Sequence, residues 1–272
     1  MADKPVTPSR FYRALRGQLG SIRKVYLRSN RIVRRGDFAS YPETVLLLNG
    51  FFQTRNVWEV MEDRLRHEGY GVLSFDLGGV LWRYQIRSIV ESAEMVAEKI
   101  ERICERYDMD RFHIVGHSMG GLLARHYIQH CGGDRRVKSL ITLGTPHRGT
   151  PTALVGLGVT AGGLLGGSAQ QMIPGSGFLR ELHNRTFPAS IPLVSVYSKG
   201  DLVCPWWSSV LKPRPGESSM SNHKISGVGH TELVSDPSVY AIVRDELARA
   251  ATLWSERKGW VYPAGDGPLE ES

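Results

Sequence analysis

Apolar residues along the chain follow two patterns, short continuous runs and longer stretches in which they recur every three or four positions. The continuous runs predict strands that are buried on both faces, because such strands carry few polar side chains. The recurring pattern predicts helices that bury one face. The predicted strands cover residues 45–48, 71–75, 112–115, 137–143, 191–197 and 224–228. Two predicted helices cover residues 57–69 and 89–103, and a third begins at residue 121. A fourth begins at Pro237, with Asp236 as its N-cap.

The alternation of strands and helices, without internal repeats, predicts an α/β fold with a mostly parallel sheet and helices on both faces. Ligands bind such sheets beyond the carboxyl ends of the strands. With 272 residues, of which 41% are hydrophobic, the chain is long enough for one large domain. We expect a basic N-terminal arm at 1–42, the domain at 43–257 and a flexible C-terminal tail at 258–272.

The net charge of +7 lies in the first part of the chain. Residues 1–43 hold ten lysines and arginines against three acids, whereas the remaining residues balance at 24 of each sign. The body is therefore neutral, which argues against a nucleic-acid-binding protein, whose folded surface is usually basic. Between Phe11 and Leu27 the arm has apolar residues at helical spacing. Such a basic helix either lies on an anionic membrane surface or docks on the protein's own body.

Three cysteines, Cys104, Cys131 and Cys204, form no CxxC pair and are too few for a disulfide framework. Cys104 falls on a helical apolar face and is expected in the core, and no metal site is indicated. The first 17 residues contain no apolar run, which argues against a secretory signal peptide. No stretch approaches the roughly 20 apolar residues of a membrane span. We expect a cytoplasmic protein, peripheral to the membrane if the arm binds lipid.

The segment Gly116–Gly120, with the sequence Gly-His-Ser-Met-Gly, lies between a predicted strand and a predicted helix. In this context the Gly-x-Ser-x-Gly pattern predicts a nucleophile elbow, a sharp turn that exposes the Ser118 hydroxyl. Glycines at 116, 120 and 121 fit such a turn, because side chains at its flanks would clash. The alternative is a Gly-rich strand-to-helix turn that carries an ordinary serine.

A serine hydroxyl near pH 7 needs a base, which is normally a histidine held by a buried carboxylate. Asp201 follows the predicted strand at 191–197, and His230 follows the last predicted strand. Both residues come after Ser118 in the order acid, then histidine. We therefore expect Ser118, Asp201 and His230 to form a catalytic triad.

Other residues compete for these roles. His117 neighbours Ser118 on the turn, so its side chain should point away, and His147 precedes Asp201 although it follows a strand. A further histidine beside the elbow is His113. Asp76 precedes the serine and sits among glycines, as turn formers do.

The tetrahedral intermediate of acyl transfer develops negative charge on oxygen, which backbone N–H groups usually stabilise. One predicted donor is the N–H of Met119, directly after the nucleophile. The other is the N–H of Phe51, in the loop after the first strand, where Gly50 permits a close approach.

Residues 151–179 carry no charged side chain and include eight glycines. An uncharged insertion of this length, within about 150–190, is either a lid over an apolar pocket or a loop that packs on the domain's own surface. A lid of this composition favours an acyl chain as substrate. Four aromatic residues either line that pocket or are structural, namely Trp82, Tyr84, Trp206 and Trp207.

Two segments, Gly-His-Ser-Met-Gly-Gly at 116–121 and Leu-Gly-Thr-Pro-His-Arg-Gly-Thr at 143–150, resemble the α/β-hydrolase superfamily. The similarity is to its lipase and esterase branch, which includes bacterial triacylglycerol lipases and GPI inositol-deacylase-like proteins. Residues 48–51 resemble the oxyanion loop of that family, and Gly200-Asp201 and Gly229-His230 match its acid and base positions.

The resemblance covers roughly residues 43–254 and implies the α/β-hydrolase fold, no cofactor and hydrolysis of carboxylic esters, often of lipids. The chain departs from the family in two places. Asn49 stands where the family commonly has histidine, and the basic arm has no counterpart.

The combined expectation is a serine esterase or lipase that acts on a small-molecule ester or lipid, without metal and without nucleic acid. An acyltransferase or amidase with the same triad is the nearest alternative, and analysis of products in the presence of alcohol separates these reactions. A non-catalytic hydrolase-fold protein that binds a lipid or partner through its arm is the other alternative. Such proteins usually lose a triad residue, whereas this chain has all three.

Overall fold

A computed structural model describes residues 37–50, 53–75, 87–154, 167–217 and 219–259. Its centre is a six-stranded sheet in the order β2-β1-β3-β4-β5-β6, and every described strand pair is parallel. The predicted α/β architecture is therefore confirmed. The strands are β1 (Thr44–Leu48), β2 (Gly71–Ser74), β3 (Phe112–His117), β4 (Val137–Leu143), β5 (Leu193–Ser198) and β6 (Met220–Ile225).

Helices connect these strands and cover both faces of the sheet. The described helices are α1 (Glu59–His67), α2 (Ile89–Tyr107), α3 (Met119–His130), α4 (Gly167–Gln171), α5 (Gly177–Asn184), α6 (Trp206–Ser209) and α7 (Pro237–Gly259). None of the helices in the described segments is long and apolar enough to cross a membrane.

Alternate residues of each central strand enter two separate cores, as the pleat of a strand requires. In β1, Leu46 and Leu48 pack with α2, α3 and α5 on one face. Val45 and Leu47 point to the other face and pack with α1 and α7. All five residues of β1 are buried, which explains why this strand is a continuous apolar run.

The helix α2 shows how local signals set an element's ends. Ser88 and Glu91 form a capping box at its start, which satisfies backbone N–H groups that have no partner one turn back. Its buried residues recur at helical spacing and include Cys104, the predicted core cysteine. Asp108 ends the helix in the left-handed conformation.

The last strand differs from its prediction. It covers Met220–Ile225 instead of 224–228, and only part of each side chain in it is buried. The strand β6 lies at the edge of the sheet and pairs with β5 alone, so polar residues such as Asn222 and Lys224 face solvent. An edge strand of this kind needs no continuous apolar run, and the apolar residues that suggested a strand at 228 lie beyond its end.

Several predictions fall on residues outside the described segments. These are the helix of the basic arm, Phe51, Asp76, Trp82, Tyr84, residues 155–166 of the uncharged insertion, and the tail from residue 260. The described flanks of the insertion pack on the domain: Ala153, Met172 and Phe178 are buried in the core that includes α2 and α3. The side-chain oxygen Oε1 of Gln171 accepts a hydrogen bond from the first N–H of α2.

The first turn of α3 lies against the end of β1. A Cβ atom on Gly120 would be 2.3 Å from the carbonyl oxygen of Leu48 and 2.7 Å from that of Asn49. Neither oxygen can yield, because both belong to the backbone beside a central strand. A glycine at 120 is therefore required by packing.

We expect Gly120→Ala to lower the free energy of unfolding by about 3 kcal/mol, because overpacking at a rigid backbone cannot relax. For a domain of this size, that loss lowers the thermal midpoint by roughly 6–12 °C. Circular dichroism during heating measures the change.

The matched control is Gly177→Ala at the start of α5, where nothing lies within 4 Å of the added Cβ. This variant should melt within about 2 °C of the wild type, as substitutions in open positions do. Equal midpoints for the two variants would contradict the packing argument.

Candidate active site

Ser118 occupies a strained turn between β3 and α3. Its φ of 54° and ψ of −126° lie outside the regions that residues with a side chain normally adopt. Asp108 is the other non-glycine residue with positive φ in the described part of the chain. Conformations of this kind cost about 1–3 kcal/mol and persist only where the surroundings enforce them.

Backbone hydrogen bonds and close contacts enforce the turn. The N–H of Ser118 donates to the Leu143 carbonyl over 2.9 Å, and its own carbonyl accepts from the Gly121 N–H over 3.1 Å. A Cβ on Gly116 would be 2.8 Å from the Gly121 Cα, and one on Gly121 would be 2.1 Å from the Thr145 hydroxyl oxygen. Side chains at these positions would clash, as the sequence predicts.

Asp201 and His230 are hydrogen bonded to each other. The loop after β5 carries Asp201, the loop after β6 carries His230, and 2.7 Å separates His230 Nδ1 from Asp201 Oδ2. A carboxylate only accepts, so Nδ1 of His230 is the donor and carries the proton. In the neutral imidazole, Nε2 therefore keeps its lone pair and can accept a proton.

The Asp201 carboxylate is held by more than the histidine. Its other oxygen, Oδ1, accepts hydrogen bonds from the N–H groups of Val203 and Cys204 over 2.9 and 2.8 Å. The side chains of Asp201 and His230 are only 1% and 7% exposed, so water competes little for these bonds. The acid and the histidine are thus fixed in one relative orientation.

Contacts within the site bring the serine and the acid–histidine pair to the same edge of the sheet. A Cβ on Gly144 would meet Asp201 Oδ2 at 2.9 Å and His230 Nδ1 at 3.2 Å. Gly144 directly follows β4, whose last carbonyl accepts from the Ser118 N–H. All three predicted triad residues therefore lie beyond the carboxyl ends of their strands, β3, β5 and β6, where α/β sheets bind ligands.

Cys204 contacts both Asp201 and Ser118. Its N–H bonds Asp201, and its thiol lies within hydrogen-bonding reach of the Ser118 side chain. Burial raises the pKa of this thiol well above its usual range, the Asp201 carboxylate raises it further, and the contact with Ser118 opposes the rise. Cys204 is therefore a neutral thiol that packs beside the serine, a role that the cysteine spacing in the sequence does not indicate.

His117 lies behind His230. Its ring is 4.6 Å from the His230 ring, and its Nε2 donates to the His230 carbonyl over 3.0 Å. Burial, together with the nearby His230, lowers the pKa of His117 well below its usual range. The sequence predicts only that this side chain turns away from Ser118; it carries no signal for a contact between residues 113 positions apart.

The other histidines considered from the sequence have structural partners. His113 is buried within the sheet and contacts the Ser139 hydroxyl and the Glu43 carboxylate. His147 bonds Thr142 over 3.0 Å and Arg125 over 3.4 Å, and it is buried. Neither ring has a hydrogen bond to Ser118, Asp201 or His230 among the described residues.

The predicted oxyanion donors are partly described. Met119 is the first residue of α3, so its N–H has no carbonyl one turn back within the helix. Phe51 lies outside the described residues, but the loop before it is braced. Asn49 Nδ2 donates to the Gln53 carbonyl over 2.5 Å, and the Gly50 N–H donates to Gln53 Oε1 over 3.0 Å. Asn49 thus closes this loop on itself.

No cluster of histidine, cysteine and acidic residues that could hold a metal ion occurs within the described segments.

Trp206 and Trp207 are 45% and 37% exposed and follow the loop that carries Asp201. Leu154, Leu202 and Val203 are exposed on the adjoining segments. The hydroxyls of Thr150 and Thr152 tie these segments together through the Val203 carbonyl.

Comparison with known proteins gives a consistent result. A family model described as the alpha/beta hydrolase fold matches residues 43–159. A probable lysophospholipase of Arabidopsis thaliana, BODYGUARD 4, is 31% identical over 84 residues, which are 30% of this chain and 20% of that protein. The match thus spans about a fifth of the curated relative.

Solved structures with the same fold include two lipases. Lipase B of Aspergillus fumigatus has a TM-score of 0.61 and 16% identity, covering 76% of this chain and 52% of that one. The mature lipase BlEst2 of Bacillus licheniformis has a TM-score of 0.61 and 16% identity, covering 79% and 95% of the two chains. The matched family model, the parallel sheet and the similarity to these two structures agree, and the chain has the α/β-hydrolase fold.

Proposed function

We propose that this protein is a serine hydrolase that cleaves carboxylic esters through Ser118, His230 and Asp201. The observation that carries the proposal is the buried hydrogen bond between Asp201 and His230, placed at the same sheet edge as a serine on a strained turn. This arrangement leaves Nε2 of His230 as the group that takes a proton from the Ser118 hydroxyl.

In the proposed reaction, Ser118 Oγ attacks the ester carbonyl while His230 Nε2 removes its proton. The Asp201 carboxylate stabilises the imidazolium that forms and keeps its orientation. The tetrahedral intermediate collapses, His230 passes the proton to the leaving alcohol, and an acyl-enzyme remains. Water, activated by His230 in the same way, then releases the acid and restores Ser118.

We propose backbone donors for the oxyanion. The N–H of Met119 points from the first turn of α3, where the helix dipole also favours negative charge. The second proposed donor is the N–H of Phe51, next to the loop that Asn49 and Gln53 brace. Such preorganised donors contribute roughly 3–4 kcal/mol each to the stability of the transition state.

The proposed substrates carry an acyl chain. Several exposed apolar side chains lie in or beside the loop that carries Asp201. They offer a surface that a polar acid would not use, and they belong to Leu154, Leu202, Val203, Trp206 and Trp207. The names of the relatives, lipases and a probable lysophospholipase, agree with an ester of a lipid. Transfer of the acyl group to an acceptor other than water uses the same groups and differs only in its products.

The first test is Ser118→Ala. We expect this variant to lose at least a thousandfold of its p-nitrophenyl ester hydrolysis, because the nucleophile is gone, and to lose labelling by a fluorophosphonate probe. Unfolding curves should match the wild type, since alanine removes one oxygen only.

The matched control is Ser221→Ala on β6, whose hydroxyl makes no hydrogen bond within the described residues. It should keep full labelling and full hydrolysis. Hydrolysis and labelling that persist in Ser118→Ala would refute the assignment of the nucleophile.

The role of the acid is tested by Asp201→Asn. An amide at this position cannot stabilise the imidazolium and favours the other tautomer of His230, so kcat should fall by roughly three to four orders of magnitude. KM should change far less, because Asp201 is buried behind His230. Comparable kcat values in this variant and the wild type would show that the base does not depend on Asp201.

The position of His230 depends on the ring behind it. We expect His117→Ala to lower kcat by roughly ten- to a hundredfold, because a base displaced by a fraction of an ångström reacts poorly. Thermal melting distinguishes this effect from unfolding, and His113→Ala, which removes a buried histidine far from Ser118, is its control. An unchanged kcat in His117→Ala would show that His230 holds its position without this contact.

A further inference from the structure

A cavity of about 110 Å³ lies on the α3 and α5 side of the sheet. Its walls come from α3, from the segment after β4, from α5 and from the segment that leads into β6. None of the proposed triad residues lines it. Four basic side chains do, namely Arg125, Arg148, Lys212 and Arg214.

Arg125 is the buried member of this group. It is 3% exposed and forms no ion pair within the described residues. One terminal nitrogen donates to His147 Nδ1 over 3.4 Å, the other donates to the Leu182 carbonyl over 3.3 Å, and Nε has no partner. Burial lowers the pKa of Arg125 to about 10, so the guanidinium is still charged at neutral pH.

The contact with His147 fixes the protonation of that ring. Arginine only donates, so Nδ1 of His147 accepts and the proton sits on Nε2. Nε2 then donates to the Thr142 hydroxyl, which donates onward to the Val194 carbonyl over 3.0 Å. This series of hydrogen bonds ends at a backbone carbonyl of the sheet. The neutral His147 ring therefore supplies no negative charge to balance Arg125.

One carboxylate, that of Glu217, lines the cavity, and it is already engaged. Its oxygens accept from the Arg214 guanidinium over 2.9 Å and from the Phe187 N–H over 3.0 Å. Burial opposes ionisation, yet these hydrogen bonds lower the pKa of Glu217 to about 2. With neutral histidines, four basic side chains face one carboxylate, and the lining has a net charge of +3.

A buried cation without a counterion is costly, and proteins usually pair it. We propose that this cavity binds a phosphate group, either inorganic phosphate or the phosphate of a small phosphomonoester, with Arg125 at its base and Arg148 and Lys212 at its entrance. Arg125 lines the cavity without an ion pair among the described residues, and arginine is well suited to phosphate recognition. Arg148 and Lys212 are exposed, so they leave the cavity open to solvent.

The entrance also connects to the exposed tryptophans. A terminal nitrogen of Arg148 donates to the Trp207 carbonyl over 3.4 Å, which places the basic entrance beside the apolar surface that follows Asp201. Both a free phosphate and the phosphate of a phosphomonoester fit this position.

Isothermal titration calorimetry of the full chain with inorganic phosphate, at pH 7 and low ionic strength, tests the site. We expect saturable binding with one phosphate per chain. The double variant Arg148→Gln/Lys212→Gln should weaken it roughly tenfold or more, because two charged donors are lost. Both side chains are exposed, so this variant should fold normally.

The matched control is Arg102→Gln, an exposed arginine on α2 that does not line the cavity, and it should bind phosphate as the wild type does. Arg125→Gln should abolish binding if its thermal midpoint shows a folded protein. If it does not fold, the double variant decides alone. The absence of saturable heat, or equal affinities of the double variant and the control, would overturn the proposal.

A second titration uses glycerol 3-phosphate, with glycerol as its neutral counterpart. Tighter binding of the ester than of inorganic phosphate assigns the cavity to a phosphomonoester, and equal binding assigns it to free phosphate. These measurements report binding without catalysis, so they succeed or fail independently of the proposed hydrolase activity.

Discussion

The close approach of the first turn of α3 to the ends of β1 and β4 is the constraint on which the rest of this site depends. Gly120 lies under the carbonyls of Leu48 and Asn49, and Gly121 lies against Thr145. This contact forces Ser118 into a backbone conformation that an unconstrained serine would leave. The strain is offset by hydrogen bonds from neighbouring strands, and the serine is held at the edge of the sheet by rigid elements rather than by a loop.

On the opposite side of the proposed site, most polar atoms already have hydrogen-bond partners. Asp201 uses one oxygen for His230 and the other for two N–H groups, so it has little freedom to rotate. His117 closes the site from behind through a ring contact and a hydrogen bond to the His230 backbone. A base that is fixed in tautomer and position loses little entropy when it reacts, which is how preorganised sites gain rate.

The same residue types serve different purposes on this fold, and their neighbours decide which. His230 faces a carboxylate and keeps a free nitrogen, whereas His147 accepts from an arginine and donates to a strand hydroxyl. Arg136 pairs with Glu101 at the surface, but Arg125 is buried and forms no ion pair with any carboxylate of the described residues. Residue identity therefore says little about role until the partner groups are known.

The sequence alone determined the central strands and the order of the proposed triad. Buried parallel strands are apolar throughout, and the residues after them meet at one edge, so the sequence predicts that Ser118, Asp201 and His230 lie at the same edge of the sheet, whereas their joint catalytic role stays a prediction. Only the tertiary structure decided the edge strand β6, the position of His117 behind His230, the contact of Cys204 with Ser118 and the burial of Arg125 without an ion pair among the residues described. These features depend on contacts between residues far apart in the chain, and they leave no periodicity or local spacing that a sequence could show.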